Sequence, residues 1–145
     1  MAKFAAKTQV SPEKSRTEIE RTLIRYGATG FMYGWDDNRV LIQFKMKNRQ
    51  VKYIQEMPVR DTYYSQAAFE QATRQRWRSL ALGIKAKLDL VENGTVSFEQ
   101  EFYAFVVLPS GKTIYEETQE AVEQMYLTGQ VQKLLPALGE TSAGN

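Results

Sequence analysis

Val40-Leu41-Ile42-Gln43-Phe44-Lys45-Met46-Lys47-Asn48-Arg49-Gln50-Val51-Lys52-Tyr53-Ile54-Gln55 is the stretch on which the fold turns. Val40, Ile42, Phe44 and Met46 alternate with Leu41, Gln43, Lys45 and Lys47, the period of two that a strand requires. Lys47-Asn48-Arg49 reads as a turn. Val51, Tyr53 and Gln55 then alternate with Lys52 and Ile54. In that register Lys45 and Lys52 oppose the apolar face and point outward. Upstream, Phe31, Tyr33 and Trp35 alternate with Met32 and Gly34, and Asp36-Asp37-Asn38 supplies another turn. Pro58 ends the last strand because proline has no N–H for the ladder. The result is a three-stranded antiparallel meander with short connections.

The flanks change period. Ser11-Pro12-Glu13 is a helix start, with a side-chain acceptor, a preset φ and a carboxylate at the positive end of the dipole. Ile19, Leu23 and Tyr26 follow at helical spacing, and Gly27 stops the run. Beyond the meander, Gln66 to Val91 reads as one long helix. Phe69, Trp77, Leu80, Ile84, Leu88 and Val91 lie on one arc, and Leu82, Ala86 and Leu90 lie on a second. That pattern predicts a helix covered from two sides. Asn93-Gly94 ends it. Thr95 or Ser97 caps a short helix through Phe105. Thr113 caps another to about Leu127, with Ile114, Ala121, Val122, Met125 and Tyr126 inward. A last apolar turn is expected from Val131 to Leu138. The fold class is therefore α+β: a flexible arm over residues 1–10, one domain over 11–138 and a frayed tail over 139–145.

The chain has 145 residues, 43% apolar and 25% charged, enough for one core without a covalent staple. It contains neither cysteine nor histidine. Disulfides, thiolate or imidazole metal sites, and Ser-His-Asp or Cys-His catalysis are excluded. No apolar run is long enough to span a bilayer and no secretory leader is recognisable, so a cytoplasmic protein without membrane contact is expected.

The net charge of +2 hides a division. Residues 39–88 carry eleven Lys/Arg against three Asp/Glu, whereas residues 89–145 carry two against nine. A basic middle suits a polyanion, although the two regions can equally pair or solvate separately. Lys45, Lys47, Arg49 and Lys52 cluster around the hairpin tip. At 100° per residue, Arg74, Arg78 and Lys85 fall within about 40° of one another on the long helix. These seven residues are the candidate nucleic-acid ligands. Trp77, though set among arginines, belongs to the apolar arc and reads as core rather than as a base-stacking platform.

Other patterns fail on inspection. Pro109-Ser110-Gly111-Lys112-Thr113 ends like a phosphate loop, but Val106 stands where the first glycine is needed. Asn93-Gly94-Thr95 matches a glycosylation sequon, which a helix stop explains. The helix–three strands–helix order resembles restriction-type nucleases, but the second strand has no acid and Glu56 is followed two residues later by Pro58, not lysine. Glu99, Glu101, Glu116 and Glu117 sit at helix starts, where the dipole accounts for them. No catalytic residue, cofactor or metal is expected. The same order resembles the double-stranded-RNA-binding domain over residues 11–91, without that family's lysine-rich second-helix start.

Arg25-Tyr26-Gly27, Gly30-Phe31-Met32-Tyr33-Gly34-Trp35, Arg74-Gln75-Arg76-Trp77-Arg78-Ser79-Leu80 and Leu108-Pro109-Ser110-Gly111-Lys112-Thr113 together resemble a family of small uncharacterised phage and prophage proteins, over residues 11–138. The resemblance transfers no activity and no site residues. It implies a phage-related setting, in which small non-enzymatic proteins serve DNA metabolism or block host defences. The expectation is a nucleic-acid-binding accessory protein acting on DNA or RNA. The alternatives are an inhibitor that binds a bacterial defence enzyme through the acidic third, and a nucleotide-binding sponge.

Overall fold

The structure, a computed structural model, describes residues 5–135. It is α+β, in the order α1 (Pro12–Arg25), β1 (Gly30–Asp36), β2 (Arg39–Met46), β3 (Arg49–Glu56), α2 (Gln66–Glu92), α3 (Phe98–Phe102) and α4 (Ile114–Thr128). Single 3-10 turns lie at Arg60–Thr62 and Tyr103–Phe105. The expected tail at 139–145 and the turn around Pro136 lie outside the described residues. No helix among the described residues is long and apolar enough to cross a membrane.

The strands form one antiparallel sheet in the order β1-β2-β3. Phe31 pairs with Phe44 and Tyr33 with Ile42. Phe44 in turn pairs with Val51, and Ile42 with Tyr53. This register puts Val40, Ile42, Phe44, Met46 and Val51 on one inner face, where all are buried. Ile19 and Leu23 of α1, Trp77, Ala81, Ile84 and Leu88 of α2, and Phe98 and Phe102 of α3 close over that face as one core. The rings of Phe44 and Phe102 meet edge to face at 5.8 Å. The opposite, outer face carries Met32, Gly34, Leu41, Gln43, Lys45, Lys52 and Ile54.

Local chemistry sets the helix ends. The Ser11 hydroxyl accepts the Lys14 N–H, and Gly27 takes a φ of 105° beyond the last turn of α1. Ser65 caps α2. Ser97 and Thr113 form reciprocal capping boxes with Gln100 and Glu116.

Four expectations need correction. Ala86 and Leu90 are exposed and Leu82 is only partly buried, so the second apolar arc of α2 is mostly left uncovered. No residue of α4 is buried, because this helix meets the rest of the fold chiefly at the Tyr103–Phe105 turn. Residues 131–135 are not helical. Residues 5–8 are held rather than free: Ala5 is buried, and the Gln71 amide donates to the carbonyls of Ala6 and Thr8.

Candidate nucleic-acid interface

The β2–β3 connection is a two-residue turn in which Lys47 and Asn48 have φ of 54° and 60°. Two left-handed residues match the strand twist, the geometry of a type I′ hairpin. The turn throws Lys47 to the tip. Lys45 stands opposite Gln50 on the outer face, its stem lying over Gly30 at 3.6 Å from where a Cβ would sit. Both lysines are exposed, and among the described residues neither side chain has an ion-pair or hydrogen-bond partner. With Arg49, Asn48, Gln50 and Thr29 they line an open depression. Arg49 pairs with Glu99 of α3 at 3.1 Å, and both side chains are roughly half-exposed.

Lys52 differs. Its Nζ donates to the Gly111 carbonyl at 3.0 Å and lies 4.0 Å from Glu116, and its side chain is only 16% exposed. The Thr113 N–H donating to the Glu116 carboxylate, together with Lys52, holds that group below the usual glutamate range despite some desolvation. Lys52 therefore ties β3 to the loop that begins α4.

The helix stripe lies along the seam between α1, α2 and the N-terminal segment. Arg74 bonds to Gln71, the residue that holds Ala6 and Thr8. Arg78 pairs with Glu18 of α1. Lys85 pairs with Asp89, one turn on, at 3.3 Å. Asp89 also accepts the Tyr26 hydroxyl, and these donors hold its carboxylate below the usual range. The three cations share one arc, as the helical spacing predicts. That arc faces acceptors of the protein itself.

The seven sequence-derived candidates thus do not form one patch. Lys45, Lys47 and Arg49 come together at the hairpin tip, Lys52 is a tie, and Arg74, Arg78 and Lys85 lie along a helix seam. One signal was available in the sequence: Asp89 stands four residues after Lys85. Glu18 is visible only once α1 and α2 are packed. Trp77 is 5% exposed, with Tyr33 edge-on at 5.9 Å, and is core. The phosphate-loop remnant is a turn at Gly111, φ 90°, leading into the Thr113 cap.

Two surfaces escaped the sequence reading. The outer sheet face exposes Met32 and Ile54, and α4 exposes Tyr115, Val122 and Tyr126. Comparison with protein-family models, with curated proteins and with solved structures finds no match.

Proposed function

We propose that the protein is a non-enzymatic, phage-type accessory protein that binds the phosphate backbone of nucleic acid through Lys45, Lys47 and Arg49. The observation that carries this reading is the pair of exposed lysines at a tight turn at the sheet's end, neither with a side-chain partner among the described residues. A cation without a protein partner releases counterions on meeting a phosphate and gives up no internal bond. Arg49 needs only to leave Glu99, and an exposed pair of that kind contributes about 0–1 kcal/mol. Lysines on a turn supply charge and not base-edge recognition, so this surface binds with little sequence preference.

The second reading, a protein-binding inhibitor of a bacterial defence enzyme, draws on α4. Its Glu116, Glu117, Glu120 and Glu123 flank exposed tyrosines, and the helix contains no cation.

Binding to labelled DNA and RNA across a salt series tests the first reading. Replacing Lys45, Lys47 and Arg49 by alanine should lower the slope of log affinity against log salt by up to about one unit per residue. Replacing Arg74, Arg78 and Lys85 should leave that slope unchanged in molecules that remain folded. Undiminished binding by the triple hairpin variant at low salt overturns the proposal and favours the inhibitor.

A further inference from the structure

We infer that the open edge of β1 pairs with the β1 edge of a second copy of this chain, antiparallel about a two-fold axis at Tyr33, so that the two sheets become one. The inference stands on its own observations and not on the phosphate-binding reading. The first observation is the edge. The two-residue turn Asp37-Asn38 closes on Asp36 and Arg39, so these two exchange ladder bonds, and Gly34, Met32 and Gly30 repeat that role down the strand. The N–H and C=O groups of Phe31, Tyr33 and Trp35 therefore point away from β2, and no bond among the described residues reaches them. The other edge of the sheet differs: Val51 bridges Val106, the Gln50 carbonyl accepts from Val107 and the Glu56 carbonyl accepts from Arg76. Open edges are normally blunted by cations, proline, bulges or brevity. β1 has seven residues, no cation and no proline, and it pairs with β2 without a bulge.

The second observation is the register. With Tyr33 opposite its counterpart, Phe31 of one chain meets Trp35 of the other, and the free N–H groups of each strand find the free carbonyls of its neighbour. The side chains match in the same register. Met32 stands opposite the second copy's Gly34. Nothing lies within 4 Å of where a Cβ on Gly34 would sit, so the exposed Met32 side chain has room to lie toward Leu41 and Ile54 in the same outer row. Trp35, 72% exposed, comes beside the second copy's Phe31, whose own row continues into buried Phe44. Such cross-strand pairs are the unit of sheet stabilisation.

Charge complementarity selects a second copy over an unrelated strand. In this register Asp36 stands opposite the second copy's Gly30. Within its own chain Lys45 pairs with Gly30, and its stem lies over that glycine, 3.6 Å from where a Cβ would sit. The ammonium is thereby carried across β1 toward the opposing Asp36, two strands away at roughly 10 Å between backbones. Asp36 and Lys45 are both exposed, and among the described residues neither side chain has an ion-pair or hydrogen-bond partner, although Arg39 stands opposite Asp36 across the turn. The two-fold axis makes the contact twice. Each outer row then runs Glu56, Arg39 and Asp36 from one chain and Lys45 from the other, with signs alternating. Sliding either strand by two residues moves Asp36 away from Gly30 and leaves the edge groups of Phe31 or Trp35 without partners. Lys47 and Arg49 lie at the hairpin tip, beyond the paired strands, and Lys45 is free for phosphate whenever the chain is monomeric.

Sedimentation velocity of the full chain over rising concentration tests the inference. A dimer is expected, and acrylamide quenching of Trp35, ready in the dilute chain, should fall over the same range. Trp35→Pro removes an outward N–H that β2 does not use, so it should be monomeric while keeping the parent's circular dichroism. Asp36→Lys and Lys45→Asp each set like charges against one another in both contacts of the homodimer, so each alone should dimerise about tenfold or more weakly. Mixed one to one, these two variants should pair with each other at close to the parent's affinity, because both contacts then join opposite charges again. A parent that stays monomeric into the hundreds-of-micromolar range overturns the inference. So does a Trp35→Pro variant that dimerises like the parent, or a mixture of the charge variants that associates no better than either alone.

Discussion

Lys52 on β3 donates to the carbonyl of Gly111, 59 residues later in the chain, and so fastens the sheet to the base of α4. Two backbone contacts reinforce the tie: Val107 N–H donates to the Gln50 carbonyl at 2.8 Å, and Val51 bridges Val106. The ammonium has a defined backbone acceptor, and the lysine side chain that carries it is mostly covered. Together these contacts make residues 106–113 a partial cover for the β3 edge, which limits open-edge pairing there.

Lys52→Met keeps the aliphatic stem and removes the donor. It should cost about 1 kcal/mol in denaturant unfolding, as for one net hydrogen bond. It should also leave the salt slope of nucleic-acid binding unaltered, whereas Lys47→Ala should lower it. Equal slopes for the two variants would show that Lys52 contacts phosphate as well.

The two tryptophans should separate cleanly. Trp77→Ala empties a core site between the sheet and α2 and should cost about 3–5 kcal/mol. Trp35 is 72% exposed beside the β1–β2 turn, so Trp35→Ala should change stability by no more than about 0.5 kcal/mol. Trp35 fluorescence should be readily quenched by acrylamide and Trp77 fluorescence should not. Lost ligand binding with unchanged stability in Trp77→Ala would contradict the core assignment.

The cap of α4 should be acid-sensitive. Thr113 accepts the Glu116 N–H at 3.2 Å while the Glu116 carboxylate accepts the Thr113 N–H at 2.8 Å. Because the folded Glu116 sits below the usual glutamate range, its contribution is complete above that range. It is lost as pH falls through the depressed folded value. The helical circular dichroism of α4 should decline over that window, and Glu116→Gln, which keeps an acceptor that does not titrate, should flatten the decline. Thr113→Ala should cost about 1 kcal/mol at neutral pH. An unchanged acid profile in Glu116→Gln would place the sensitive group elsewhere.

The architecture was legible because its signals were local. Ser11-Pro12-Glu13, the period of two around Ile42 and Phe44, and Asn93-Gly94 each act within a few residues of themselves, and the elements follow. The site was less legible because a cation's role depends on what lies across from it. Lys45 and Lys52 are equally outward in the strand pattern, yet only Lys52 meets Gly111, through a loop whose path no local pattern encodes. Arg78 looked free until α1 brought Glu18 beside it. The face of α4 misled for a related reason. Amphipathic spacing shows that Tyr115, Val122 and Tyr126 share a side, but not whether this chain supplies the surface that covers it.

The hairpin turn has a consequence for engineering. Lys47 holds a left-handed conformation at φ 54°, which a residue with a Cβ adopts at a cost of about 1–2 kcal/mol and glycine adopts without that cost. Backbone preference and surface charge therefore pull in opposite directions at one position. Lys47→Gly should raise the unfolding midpoint while removing a cation from the tip. A more stable molecule with a shallower salt response would be the unusual case in which improving the fold impairs the surface.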